Sequence, residues 1–252
     1  MAGGPLLINC KVIVGGLDLS GDSNSVGLVH GAEMLDATTF VTVASGSTRR
    51  YIPGLKTFEL TGNMFWNTGN TDSVLFSRVG IAGEVATVGL IGEAEGDRVF
   101  FCKGVRGAYN PASGEIGQLV TAQLDLKNSG SPLVRGSLMR GNLTPVTVTG
   151  NSVGLNLGSL ASKRIYSALH ILSPLTPGGG GEQIIGTIES DDAGGFGTPT
   201  TRLTHATMTE DGSDWQEATL GAGVTDNFWR AKWTISGGAP SFLIYWSFGF
   251  IG

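Results

Sequence analysis

Short stretches of the chain either alternate apolar with polar residues or concentrate β-branched ones: residues 7–14, 58–66, 85–91, 99–105, 118–126 and 143–149. Each is bounded by Gly, Asn, Asp or Pro, the punctuation of strands joined by turns. The pattern resumes later at residues 164–172, 183–190, 200–208, 215–220, 228–236 and 241–250. A mostly β chain is predicted. One segment breaks the two-residue period. Thr71, Asp72 and Ser73 offer N-caps, Leu75, Phe76 and Val79 are spaced for one helix face, and Gly80 supplies a stop. A single short helix is expected over 71–79, needing a sheet face to pack on because Val74 and its neighbours are weak helix formers.

Near 141–158 the composition shifts to Gly, Asn, Thr and Ser, and charge disappears. This predicts a boundary near residue 150, with a β-sandwich over 1–150 and a second β-sandwich or jelly roll over 151–252. In the last two strands Trp229, Ala231, Trp233 and Ile235 alternate with Phe228, Arg230, Lys232 and Thr234, giving one apolar and one mixed face. Gly237-Gly238-Ala239-Pro240 then reads as a hairpin turn leading into Phe242, Ile244, Trp246 and Phe248. Such aromatic density fits sugar stacking, but core filling is the stronger reading.

Glycine supplies 41 of 252 residues without a three-residue period, and 40% of the chain is hydrophobic, which excludes collagen and argues against disorder. Net charge is −5, with −1 before residue 150 and −4 after it, so tight phosphate binding to nucleic acid is not expected. Charged residues make up only 15%, so much of the surface must be uncharged polar groups or apolar area covered by a partner. Self-assembly follows as an expectation. Cys10 and Cys102 sit in apolar runs without metal-ligand spacing and are expected as reduced thiols. Residues 5–10 lack a preceding basic region, and no run reaches spanning length. The expectation is a chain made soluble in the cytoplasm, with no membrane insertion.

Candidate chemistry is sparse. Gly150-Asn151-Ser152-Val153-Gly154 matches a nucleophile elbow, with Asp191 and His205 following in hydrolase order, but the helices that such a site requires are missing. His30, His170 and His205 have no ligand spacing, so no metal is expected. Asp191-Asp192 reads as a solvated turn rather than a calcium loop, and Gly178 to Gly181 lacks the ending of a phosphate loop. Asn142-Leu143-Thr144 is a glycosylation sequon by pattern only. No catalytic residue and no cofactor are assigned. Residues 33–56 read instead as an unusually long loop, the kind that serves a function.

Three pieces of sequence carry a family resemblance: Leu35-Asp36-Ala37-Thr38-Thr39-Phe40, Ser47-Thr48-Arg49-Arg50-Tyr51-Ile52-Pro53-Gly54-Leu55-Lys56 and Leu60-Thr61-Gly62-Asn63-Met64-Phe65-Trp66. Their order resembles the major tail proteins, or tail tube proteins, of long-tailed bacteriophages over about residues 10–140, with residues 72–79 matching the short helix of that family. The stretch Val41 to Ser45 makes the loop tip longer than the family pattern. Residues 151–252 are similar to β-sandwich appendages of phage virion proteins. The resemblance implies a tail-tube-like antiparallel β-sandwich with one short helix, followed by the second sandwich. It also implies hexameric rings, stacked with other tail proteins into a tube through which DNA passes without tight binding. The chain would be made in the host cytoplasm and end in the virion tail, without catalysis. Asp36, Thr38, Thr39, Phe40, Arg49, Arg50 and Tyr51 are then expected at the contact between subunits. The alternative is a virion surface or head decoration protein whose C-terminal sandwich binds host glycans.

Overall fold

The computed structural model describes residues 9–37, 49–66, 70–113, 115–141, 143–172 and 181–252. The first half forms β1 (Lys11–Val14), β2 (Leu17–Asp18), β3 (Ser23–Asp36), β4 (Tyr51–Phe65), α1 (Asn70–Ser77), β5 (Ala82–Gly89), β6 (Arg98–Ser113), β7 (Thr121–Asn128) and β8 (Val134–Arg140). The second forms β9 (Gly150–Asn151), β10 (Leu155–Asn156), β11 (Arg164–Ile171), β12 (Gln183–Asp191), β13 (Thr200–Thr204), β14 (Gly212–Thr219), β15 (Phe228–Ser236) and β16 (Ile244–Ile251). Among the described residues the structure shows the expected mostly β fold with one short helix. Eleven strands make one sheet, ordered β14-β11-β16-β8-β6-β5-β1-β2, with β7 on β6 and β4, and β3 on β4. Five make a second sheet, β10-β15-β12-β13, with β9 also on β15.

Side-chain alternation sorts the apolar residues into three cores. Ile13, Val85, Val99 and Phe101 meet Tyr166, Ala168, Trp215 and Tyr245, so the large sheet curls until its two wings face each other. The other face of β1, β5 and β6, including Val14, Ala86, Val88 and Cys102, meets Phe58, Leu60, Leu124 and the helical Leu75. Ile165, Leu169, Trp246 and Phe248 pack against Ile184, Ile188, Trp229 and Trp233 of the smaller sheet. A strand covered on both faces loses its two-residue period, and residues 244–248 of β16 are accordingly all fully buried.

Several expectations need correction. The last two strands are not a hairpin: β15 lies between β12 and β10, whereas β16 lies between β11 and β8. Residues 237–240 cross from one sheet to the other, which sets the aromatics of the two strands face to face across a core. The boundary near 150 does not separate hydrogen-bonded units either. Ser137 pairs with Phe248 and Gly136 with Gly249, joining β8 to β16 across it. A Cβ on Gly136 would collide with the Phe248 carbonyl and the Phe101 ring, so glycine is required for this approach. Residues 143–149 give only one bridge, Val146 to Phe242, instead of a strand. The long loop expected over 33–56 is in its described part the continuation of two strands, β3 and β4. The aromatics considered for sugar stacking, Trp229, Trp246 and Phe248, are fully buried.

Candidate assembly surface

β3 and β4 pair along nearly their whole length, from Ser23 opposite Met64 to Asp36 opposite Tyr51. At the base β4 also pairs with β7, from Phe65–Thr121 to Glu59–Lys127, and there Phe58, Leu60 and Met64 enter the core. Beyond Glu59 only the two strands continue, and β3 has no strand on its outer edge among the described residues. A bulge between Ala32 and Met34 bends the ribbon near Pro53, which has no N–H to donate to the ladder. The distal part is apolar yet uncovered: Leu55 is 78% exposed, with Met34, Leu35, Tyr51 and Ile52 exposed beside it. A two-stranded ribbon is marginal alone, and a bare edge invites pairing or cover by another chain.

The structure brings Asp36 and Tyr51 together as cross-strand neighbours. The Ala37 N–H donates to the Arg50 carbonyl at 2.8 Å, closing the next rung, and Arg49 and Arg50 are exposed as the chain enters β4. Thr38, Thr39 and Phe40 lie outside the described residues.

Below the ribbon, α1 is tied to the sheet by polar contacts that sequence reasoning missed. Arg106, fully buried on β6, donates through Nη1 to the Leu75 carbonyl at 2.6 Å and pairs through Nη2 with Glu84 of β5. Burial pushes the Glu84 carboxyl up despite the attraction of Arg106 and Arg78, and it lowers the Arg106 guanidinium. Asp72 accepts hydrogen bonds from Tyr109 Oη at 2.7 Å and Trp66 Nε1 at 2.9 Å, which hold its carboxyl below the usual range. Trp66, the last residue of the motif, is thereby fixed where the ribbon meets the helix.

The elbow does not assemble. Ser152 Oγ accepts from the Ala231 N–H at 2.9 Å, and Asp191 accepts from the N–H groups of Ala193 and Thr198 in its own turn. His205 bonds instead to Ser167 Oγ through Nε2 at 2.8 Å and to Asp214 Oδ2 through Nδ1 at 2.7 Å. Burial alone would raise the Asp214 carboxyl, but bonds from His205 and Gln216 outweigh it and hold it at about 2. Ser167 and His205 are 0% and 2% exposed, and the Trp246 indole N–H donates to Ser167 Oγ at 2.7 Å. Despite its acyl-transfer connectivity, this trio ties the two sheets together, with its hydroxyl and imidazole buried away from solvent and only Asp214 part-exposed. Among the described residues no group of three His, Cys, Asp or Glu could hold a metal ion.

No family model matches the chain, and no curated protein matches it. Among solved structures it is similar to a chain of the virion of a native gene transfer agent particle, at 14% identity and TM-score 0.36, over 48% of this chain and 94% of that one. A sheath/tube terminator of an extracellular contractile injection system gives 14% identity and TM-score 0.40, over 53% and 99%. The SPP1 Dit (gp 19.1) protein, from the hub adsorption apparatus of phages infecting Gram-positive hosts, gives 13% identity and TM-score 0.35, over 95% and 98%.

Proposed function

We propose that the chain is a structural subunit of a phage tail, forming hexameric rings that stack into a tube for DNA delivery and using the β3–β4 ribbon as its assembly arm. The ribbon is the observation that carries this reading. It places the tail-tube-like motif residues Asp36, Arg50 and Tyr51 at the far end of an exposed apolar arm with an open edge. The low share of charged residues suits surfaces that subunits cover, and the acidic balance suits a conduit that must not hold phosphate. The chain is then a virion component that works alongside other tail proteins and needs no cofactor. The glycan-binding alternative loses its main support, because its aromatics lie in the cores.

Negative-stain microscopy of the purified chain tests the reading. Rings or tubes are expected at high protein concentration. Discrete monomers or trimers of folded protein would refute it.

A further inference from the structure

Where the ribbon leaves the body, a cleft of about 420 Å³ opens beside it. The ribbon contributes His30 and Lys56 to its lining, the body contributes Phe100, Leu133, Tyr166 and Phe250, and Arg135 of β8 adds a third basic group. No carboxylate lines it among the described residues. Phe250 and the neighbouring Ile251 each remain 37% exposed, so apolar surface is left in contact with water. The chemistry selects an occupant that is apolar and acidic together.

The ribbon itself carries such a stretch. In Glu33-Met34-Leu35-Asp36 two exposed apolar side chains, 57% and 50% accessible, stand between two carboxylates. Its outer residues cannot reach the cleft of their own molecule. Lys56 stands opposite Ala32 and the ladder continues to Asp36–Tyr51, which carries Leu35 and Asp36 about 10–13 Å beyond that end of the cleft at roughly 3.3 Å per residue. Folding back would break that pairing. We infer that the cleft of one copy receives the Glu33–Asp36 stretch of another, Leu35 entering among Phe100, Leu133 and Phe250 and the Glu33 carboxylate meeting Arg135. The donor stretch lies beyond the acceptor along one ribbon. In a ring or stack each copy gives its arm to one neighbour and takes an arm from another, a heterologous contact that propagates, whereas reciprocal exchange between two copies would close a two-fold dimer. This inference rests on reading the ribbon as an assembly arm and says where that arm lands.

Sedimentation velocity on the full chain tests it by the concentration at which half the protein is in large species. Arg135 is exposed, so Arg135→Glu is expected to keep the fold, checked by circular dichroism, while raising that concentration at least about tenfold, or about 1.4 kcal/mol. The charge exchange Glu33→Arg with Arg135→Glu is expected to bring it back to within about threefold of the starting protein. As a second readout, Leu35→Cys combined with Pro132→Cys is expected to give disulfide-linked oligomers that neither single variant gives. If the starting protein assembles and Arg135→Glu assembles equally well, or the exchange does not recover, the cleft assignment is overturned and the assembly reading stands. A starting protein that stays monomeric at every concentration overturns both.

Discussion

Trp229 of β15 stacks on Phe248 of β16 with ring centroids 5.4 Å apart and 20° between planes, joining the two sheets through the centre of their shared core. Both rings are fully buried. Trp229→Ala is expected to cost about 3–5 kcal/mol, read as a lower urea midpoint with little change in slope. A loss under about 1 kcal/mol would mean that the sheets are not held together there.

Because β11, β14 and β16 cover Val99, Phe101, Val134 and Leu138, a chain cut at residue 150 is expected to be insoluble or unfolded. Soluble, cooperatively folding residues 1–150 would restore the division suggested by composition. Expression followed by circular dichroism and thermal melting decides between them.

Removing Glu84 leaves Arg106 as an uncompensated buried charge, and removing Arg106 leaves the buried Glu84 carboxyl with only Arg78, at 3.5 Å. Arg106→Ala is therefore expected to cost about 3–5 kcal/mol. Replacing both, as Glu84→Leu with Arg106→Met, is expected to cost far less than the two single losses added together. Additive losses in chemical denaturation would argue against a direct pair.

Acid should weaken the fold well before carboxylates titrate. His170 is fully buried, bonded at Nε2 to Thr87 Oγ1 at 2.9 Å, with Nδ1 unpartnered among the described residues. Burial, reinforced by His205, pushes its pKa down to about 3. The unfolded chain thus takes up a proton near pH 6.5 that the folded chain refuses. Stability is fully present above that pH and is lost as pH falls toward about 3, by about 1.4 kcal/mol per unit for this one group. Burial lowers His205 as well, which adds to the same trend. Urea midpoints at about pH 7 and about pH 5 check this; equal midpoints would contradict it.

Arg49→Glu with Arg50→Glu is expected to block assembly while leaving the melting profile unchanged, since both residues lie at the far end of the ribbon, away from the cores. Tube yield by microscopy is the measurement. Undiminished tubes would show that the arginines face no acidic group of a neighbouring subunit.

The alternation of Trp229, Ala231 and Trp233 was legible because one face of β15 is buried and the other wet. Which strand pairs with which was not legible. The aromatic runs at 228–236 and 241–250 fit a hairpin and a crossover equally well locally, and only the facing layer decides. β3 was missed because Ser23, Asn24, Ser25, Gly27 and Gly31 carry no apolar period; its ladder comes from β4 rather than from burial. β8 was hidden by Gly136, the residue that its approach to β16 requires. Ser167, His205 and Asp214 come from three separate strands or turns, and no local spacing could have announced them.

The core that joins Phe101 to Tyr245 also sets a timetable for synthesis. Roughly 140 residues separate the two, which at about 5–20 residues per second is about 7–30 s of translation. During that interval β16, which joins β11 and β14 to the rest of the sheet, is missing, so the face of β5 and β6 that bears Val85, Val99 and Phe101 is incompletely covered. Contacts so distant in sequence also form slowly once both sides exist. A ribosome that stalls before residue 244 therefore releases a chain with an open apolar wall, and the yield of folded subunit depends on the pace of its own translation.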